Sequence, residues 1–306
     1  MDCCLEIPGY FTSQRQAEHL RRLRREFPFV YIHELTRTAY GRPIHALQIG
    51  SGDRKLLLTA GHHANETITS EVLWRFLFTY CGALRDGGAV CGADALSLYH
   101  GAMVYLVPLV DPDGADLVAG TSAPGSAEYR AAAQIAAVFP DVPFPSGWKA
   151  NLSGVDLNLN YPARWETARR IKAAKGIARP APRDYPGHHP LDQPETAALA
   201  AYTACIRPDL MLALHTQGRV IYPGPKETAP EGSEPLAQAL AAASGYEIED
   251  VPAESANAGF KDWFLQVFKR PAFTIEAGLG ANPLPASQLP EIMRALSAIF
   301  TAAMQW

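Results

Sequence analysis

The feature that most constrains the fold is a set of short apolar runs, each of which ends in polar residues. They are KLLLTA (55–60) before GHHANE, MVYLVPLV (103–110) before DPDG, LMLALH (210–215) and PAFTIE (271–276). Stretches with helical spacing separate them, at 67–80, 193–205, 234–244 and 288–304. Strands that alternate with helices predict an α/β fold, with a largely parallel sheet covered by helices on both faces.

The polar residues that end these runs are the first indication of function. In sheets of this kind, ligands bind outside the carboxyl ends of the strands. The four polar clusters all follow predicted strands, so we expect them to meet at one edge of the sheet.

The rest of the chain is predicted to be one helix followed by loops around this sheet. Residues 13–26 show helical spacing, with Ser13 as a plausible cap and the arginines on the solvated face. The Gly- and Pro-rich segments 119–150 and 176–194 are predicted to be long surface loops, with a helix only at 127–138. No linker is visible, and residues 1–306 are predicted to form a single catalytic domain.

The net charge bears on the partners of the protein, and the cysteines and the N-terminal sequence bear on its location. A formal net charge of -4 argues against nucleic acid or an anionic membrane as the main partner. No signal peptide or membrane span is visible, and the five cysteines suit reduced thiols, so a cytoplasmic location is expected. A Cys81–Cys91 disulfide stays open if the protein is exported by an unusual route. The sequence indicates no particular oligomeric state.

Three of the strand-end residues suit a catalytic zinc site. His63 and Glu66 are three residues apart directly after a predicted strand, and His62 is an alternative ligand. Such a pair is weak evidence alone. His215 closes an apolar strand, where a neutral histidine must be hydrogen-bonded or ligated. Together the three residues predict a zinc site with one open position.

Glu276 is the candidate general base. It ends the apolar strand PAFTIE, so partial burial would raise its pKa while a metal would lower it. A solvated strand-end glutamate is the ordinary alternative for this residue alone. Its shared edge with His63, Glu66 and His215 favours the catalytic role.

The order of these motifs resembles that of the zinc metallocarboxypeptidases. GHHANE, GVDLNLN, LALHTQG and TIEAG occur in the family's order, over nearly the whole chain. The resemblance implies a mixed, mostly parallel eight-stranded twisted sheet between helices. It also implies one Zn²⁺ on His63, Glu66 and His215, with Glu276 as general base.

Two further positions carry over, and one departs from the family pattern. WKAN (148–151) places Lys149 where the family has the arginine that polarises the scissile carbonyl. Asn158 matches the asparagine for the substrate's terminal carboxylate. Leu159 replaces the arginine that normally grips that carboxylate, which predicts that the substrate can continue beyond the cleaved bond.

Within the family, the chain is most similar to the γ-D-glutamyl-L-diamino acid endopeptidases. The supporting segments are PLVDPDGADLV, WKAN, PRDYPG, HTQG, AGFKDWF and EAGLGANPLP, with Asp111 where asparagine is expected. This resemblance implies a peptidoglycan stem peptide or muropeptide as substrate. Lys261 is then expected to bind the side-chain carboxylate of diaminopimelate, unless it pairs with Asp262 or Glu254. Arg183 and Arg219 are further candidates for that role.

Two other functions are compatible with the same motifs. A zinc-dependent acylamino acid hydrolase of the aspartoacylase type shares the Gly-x-His-x-x-Glu start and an Asp-x-Asn run. A protein that binds muropeptides without cleaving them is the non-enzymatic alternative, which the intact ligands and base disfavour.

Overall fold

The structure, a computed structural model, describes residues 10–225, 229–252 and 257–306. Its strands in chain order are β1 (Tyr31–Arg37), β2 (Pro43–Gly50), β3 (Arg54–Thr59), β4 (Ala89–Val90), β5 (Ala93–Asp94), β6 (Ala102–Val107), β7 (Leu210–His215), β8 (Val220–Tyr222), β9 (Glu247–Ile248) and β10 (Ala272–Glu276). Eight of them form one sheet in the order β1-β2-β6-β3-β7-β10-β8-β9, and β4 pairs with β5.

The four predicted strands form the centre of this sheet. β6, β3, β7 and β10 are neighbours and run parallel, so Leu58 lies opposite both Leu106 and Leu212. The edges are mixed, because β1, β2 and β8 pair antiparallel with their neighbours on the central side and β9 pairs parallel with β8. The predicted eight-stranded mixed sheet is confirmed.

Ten α-helices surround the sheet within the described residues. They are α1 (Ser13–Glu26), α2 (Ile68–Asp86), α3 (Ala95–Gly101), α4 (Pro112–Val118), α5 (Ala127–Ala136), α6 (Trp165–Ala174), α7 (Pro194–Ile206), α8 (Ser233–Ser244), α9 (Phe260–Phe268) and α10 (Leu289–Gln305).

The apolar runs are continuous because both faces of the central strands are buried. Leu56 and Leu58 pack in one cluster with side chains of α1, α2, α8 and α10. Leu57, on the opposite face, packs in a second cluster with Leu199 of α7 and Phe264 of α9. Both faces of the sheet are therefore covered by helices, as predicted.

The predicted helices are present, with one local correction. The residue that caps α1 is Thr12, whose hydroxyl accepts a hydrogen bond from the Arg15 amide at 3.2 Å. Ser13 is already helical, and its hydroxyl donates to Asp116 instead. The prediction of Ser13 as the cap was wrong by one residue, because Thr12 and Ser13 are adjacent hydroxyl residues at the start of the helix and both satisfy the sequence rule.

The long loops also follow the prediction. α5 is the only helix within 119–150, and residues 176–193 contain neither helix nor strand. The helices α3, α4, α6 and α9 were not predicted. α6 and α9 flank loop segments that line the cleft described below.

The described cysteines form no disulfide. Cys81 is buried and Cys91 is exposed, and both are free thiols, as is Cys205. Cys3 and Cys4 lie outside the described residues. None of the described helices is both long and apolar enough to span a bilayer.

Candidate metal centre and active site

The order of the strands brings the sequence-distant site residues together. β3 ends at Thr59, and the loop that follows carries His63 and Glu66 before α2 begins. His215 is the last residue of β7, the neighbour of β3. Glu276 ends β10 and lies directly opposite His215 in the parallel register. The expected convergence at one sheet edge is confirmed.

Three of these side chains converge on one point. Nδ1 of His63 lies 3.0 Å from Oε1 of Glu66, and Nδ1 of His215 lies 3.1 Å from Oε2 of the same carboxylate. The two Nδ1 atoms are 3.1 Å apart. Two imidazole nitrogens and a carboxylate that face one another form a donor set that fits a catalytic zinc with an open fourth position.

Within the described ranges, this trio is the one cluster of three or more potential metal ligands. All three side chains are buried. His62, the alternative ligand, is not part of it. Its Nε2 lies 3.3 Å from the Tyr161 hydroxyl and its ring packs against Phe260.

Asp156 orients one of the ligands, and the sequence analysis did not single it out. Its Oδ1 lies 3.1 Å from Nε2 of His63. Burial opposes its ionisation, but His63 and Lys149 hold the pKa of the Asp156 carboxyl well below its usual range. His63 therefore donates from Nε2 and directs the Nδ1 lone pair at the metal position, as a carboxylate–histidine–metal arrangement requires.

The Glu66 carboxylate is held from the other side of the site. The Thr216 amide donates to Oε2 at 3.1 Å, and the Asn282 side chain lies 3.4 Å from Oε1. Asn282 in turn accepts a 2.7 Å hydrogen bond from the Thr216 hydroxyl. These contacts fix the carboxylate in position before any ligand binds.

Glu276 and Lys149 face this centre. Burial and the neighbouring Glu66 carboxylate raise the pKa of Glu276, against the opposing influence of Lys149. Lys149 Nζ lies 3.5 Å from Oε1 of Glu66. Burial would lower the pKa of Lys149, but the carboxylates of Glu66 and Asp156 raise it, so the ammonium stays charged.

A first cavity of about 210 Å³ opens beside these residues. Its lining includes Glu276, Asn158, Leu159 and Lys261. Asn158 is oriented by accepting a 3.0 Å hydrogen bond from the Phe260 amide at the start of α9. The apolar Leu159 side chain lies where an arginine is usual in the resembling family.

Lys261 is buried at the wall of this cavity, with 5% of its surface exposed. Nζ has no hydrogen-bond partner among the described residues, although Oδ1 of Asp262 lies 3.4 Å away. The alternative of an ion pair with Asp262 is therefore confirmed as a contact, but its surface location was wrong, because Lys261 is buried. The other proposed partner, Glu254, lies outside the described residues.

A second cavity of about 550 Å³ adjoins the first. The two share Lys149, Tyr222 and Glu276, and Arg183 lines only the second. Arg219 is among the lining residues of neither, and its guanidinium pairs with Glu291. Lys261, Arg183 and Arg219 were all predicted as candidates to bind the diaminopimelate side-chain carboxylate. The structure places them in three different surroundings.

Comparison with known sequences decides the family. A profile of the zinc carboxypeptidases matches residues 17–297. The chain belongs to the zinc carboxypeptidase family. It is accordingly a zinc metallopeptidase that uses one zinc ion, and His63, Glu66 and His215 are the residues that can hold it.

Related proteins support this membership. The chain is 39% identical over 287 residues to gamma-D-glutamyl-L-diamino acid endopeptidase 1 of Lysinibacillus sphaericus, covering 93% of this chain and 70% of that protein. Its fold is similar to that of bovine thrombin-activatable fibrinolysis inhibitor bound to tick carboxypeptidase inhibitor, with a TM-score of 0.73, 17% identity and 97% of each chain covered. Murein-tripeptide amidase MpaA of Escherichia coli O157 gives a TM-score of 0.53 at 22% identity, over 90% of this chain and 92% of that one.

Proposed function

We propose that the protein hydrolyses γ-D-glutamyl bonds to diaminopimelate in peptidoglycan stem peptides or muropeptides. The observation that carries the proposal is Lys261, a buried cation in the lining of the first cavity. Its Nζ has the Asp262 carboxylate 3.4 Å away but makes no hydrogen bond among the described residues. A substrate carboxylate would supply the charge-assisted hydrogen bond that this buried ammonium lacks. The named activity of the Lysinibacillus sphaericus relative supports the same substrate class.

The first cavity suits the amino acid on the leaving side of the bond. Diaminopimelate carries a second carboxylate at the end of its side chain, whereas lysine ends in an ammonium alone. Lys261 would attract the first and repel the second. Asn158 lies on the same wall and can bind the carboxylate beside the released amine.

Leu159 supports an enzyme that need not act at a chain end. An arginine at this position would demand a terminal carboxylate, and a buried leucine makes no such demand. The proposed substrate can therefore end at diaminopimelate or continue beyond it.

Glu276 and Lys149 are the residues proposed to act in amide hydrolysis beside the metal. When bound, zinc would act as a Lewis acid that lowers the pKa of water to roughly 7. Glu276 accepts the proton of the attacking water and delivers it to the leaving amine. The Lys149 ammonium lies beside Glu66 and can stabilise the oxyanion that develops on the scissile carbonyl.

The experiment that tests the proposal compares two tripeptides. L-Ala-γ-D-Glu-meso-diaminopimelate and its L-lysine analogue are incubated with the zinc-loaded protein, with a chelator control, and the products are identified by mass. We expect zinc-dependent release of free diaminopimelate and much slower release of lysine. Failure to cleave the first peptide with zinc bound would refute the proposal, and hydrolysis of N-acyl amino acids would then favour the deacylase function.

Lys261→Met tests the residue that carries the argument. It should lower kcat/KM for the diaminopimelate peptide about 10- to 100-fold, the cost of one charge-assisted hydrogen bond. The lysine peptide should lose much less. Lys269→Met is the matched control, because Lys269 directly follows the same helix, is exposed, and lines neither cavity. Equal losses on both peptides would remove Lys261 from substrate recognition.

A further inference from the structure

The two cavities lie on either side of the position expected for the scissile bond. Lys149 and Glu276, the residues assigned to the oxyanion and the proton, line both cavities, as does Tyr222. The scissile carbonyl therefore lies at their junction. If the first cavity takes the leaving diamino acid, as the proposed function states, the second takes the acyl half of the substrate.

The second cavity contains two cations among its lining residues, Lys149 and Arg183. Lys149 is directed at the metal centre by its 3.5 Å contact with Glu66. Arg183 remains for the substrate. Its side chain is about half exposed, so it is accessible from the cleft.

Among the described residues, Arg183 is held by one edge of its guanidinium. Its Nε donates to Oδ2 of Asp184 at 2.9 Å, which uses one of the five N–H groups of a guanidinium. Asp184 is itself anchored, because its Oδ1 accepts a 2.6 Å hydrogen bond from Lys172 and its amide donates to Asp156. The guanidinium is thus tied through Asp184 to Asp156, the residue that orients His63.

The acyl half of the proposed substrate carries a charge that suits this position. A γ-linked glutamyl residue keeps its α-carboxylate free, a few bonds from the scissile carbonyl, whereas in an α-linked residue the α-carbonyl is itself the scissile carbonyl. We propose that Arg183 forms an acyl-side carboxylate subsite that binds the free α-carboxylate of the γ-linked glutamyl residue. This inference rests on the proposed function and moves Arg183 from the diaminopimelate side of the bond to the other side.

The subsite gives Arg183 a function that catalysis alone would not require. An arginine that acted on the oxyanion would be equally important for every amide substrate. An arginine that binds the α-carboxylate matters only when that carboxylate is present. The two roles can therefore be distinguished by changing one group of the substrate, the glutamyl α-carboxylate.

The test uses L-Ala-γ-D-Glu-meso-diaminopimelate and the same peptide with the glutamyl α-carboxylate converted to a carboxamide. The wild-type protein should prefer the free acid. Arg183→Met should lower kcat/KM for the acid about 10- to 100-fold and leave the amide within about 3-fold, removing the preference. Arg183→Lys should restore part of the preference. Arg219→Met is the control and should change neither rate, since Arg219 lines neither cavity.

Binding gives a second readout without turnover. Calorimetric titration of both peptides into the Glu276→Gln protein, with and without Arg183→Met, should show the same acid preference and the same loss. Equal losses on acid and amide, or a wild-type protein indifferent to the two, would overturn the subsite. A zinc-loaded wild-type protein that cleaves neither peptide but binds the acid selectively through Arg183 would refute the proposed function and support the subsite. Cleavage of neither peptide without acid-selective binding would refute both.

Discussion

Two buried glutamates at the start of the same helix differ in what surrounds them. Glu66 precedes α2 and lies between His63 and His215, at 3.0 and 3.1 Å from their Nδ1 atoms. Glu71, in the first turn of α2, faces away from the sheet edge toward α1. Both are almost fully buried.

Glu71 is surrounded by permanent cations. Arg15 Nε lies 2.9 Å from Oε2, and Arg75 Nε lies 2.6 Å from Oε1. His19 approaches to 3.9 Å. This carboxylate joins α1 to α2, and its charge is balanced within the protein.

A structural carboxylate and a metal-ligating carboxylate are distinguished by the groups that contact them most closely. An arginine is charged at every physiological pH, so the Glu71 cluster needs nothing from outside. Imidazoles are neutral or cationic, and as metal ligands they must be neutral. Glu66 has one permanent cation beside it, Lys149 at 3.5 Å, but its shorter contacts are with the two imidazole nitrogens, which together with the carboxylate form a set of metal ligands.

The largest expected effect follows from removing the Glu66 charge. Glu66→Gln should lose zinc and fall to background turnover, because one of three protein ligands is replaced by a weak neutral donor. Zinc content is measured by elemental analysis after dialysis, and turnover with the diaminopimelate tripeptide. A variant that keeps stoichiometric zinc would break the comparison.

Glu71→Gln should have the opposite profile. Removing one partner of a buried ion pair costs roughly 3–5 kcal/mol, so the free energy of unfolding should fall by about that amount. Zinc content and kcat/KM at low temperature should match the wild-type values. Denaturant unfolding of the two proteins measures the difference, and loss of activity in the folded variant would show that Glu71 is part of the site.

Asp156→Asn should give a smaller loss confined to the metal centre. Residues that orient a metal-ligating histidine typically contribute 10- to 100-fold to metal affinity or activity. The zinc dissociation constant should rise and kcat should fall within about that range. Unchanged values for both would mean that His63 is oriented without Asp156.

The pH dependence of stability should reflect Glu71. Burial opposes its ionisation, but hydrogen bonds from His19, Arg15 and Arg75 lower the pKa of Glu71 to about 2. Because the folded pKa is lowered, the stabilisation is present above the unfolded pKa of about 4.3 and is lost as pH falls toward 2. The stability difference between wild-type protein and Glu71→Gln should therefore narrow between about pH 5 and pH 2. A constant difference would contradict this assignment.

The sequence predicts the residues at strand ends far better than those on loops. His63, Glu66, His215 and Glu276 follow or end buried parallel strands, whose carboxyl ends must share one edge. Their positions at strand ends were therefore sufficient to predict that these four side chains share one edge of the sheet, and the structure confirms it.

Loop residues could not be placed in this way. Asp156 lies in the quoted motif GVDLNLN, but a carboxylate before a short 3₁₀ turn is also an ordinary cap, and only the 3.1 Å contact with His63 reveals its role. Arg183 lies on a long irregular loop that lines the second cavity, whereas Arg219 pairs with Glu291 on α10. No periodicity in the sequence encodes those paths.

Three side chains are assigned to hold zinc, and Glu276 is assigned to move the proton. The most direct test is Glu276→Gln, assayed for zinc content and for hydrolysis of the diaminopimelate tripeptide. Zinc should stay at the wild-type level while kcat falls about 10²- to 10⁴-fold, the usual contribution of a general base. Undiminished turnover in the zinc-loaded variant would contradict the claim.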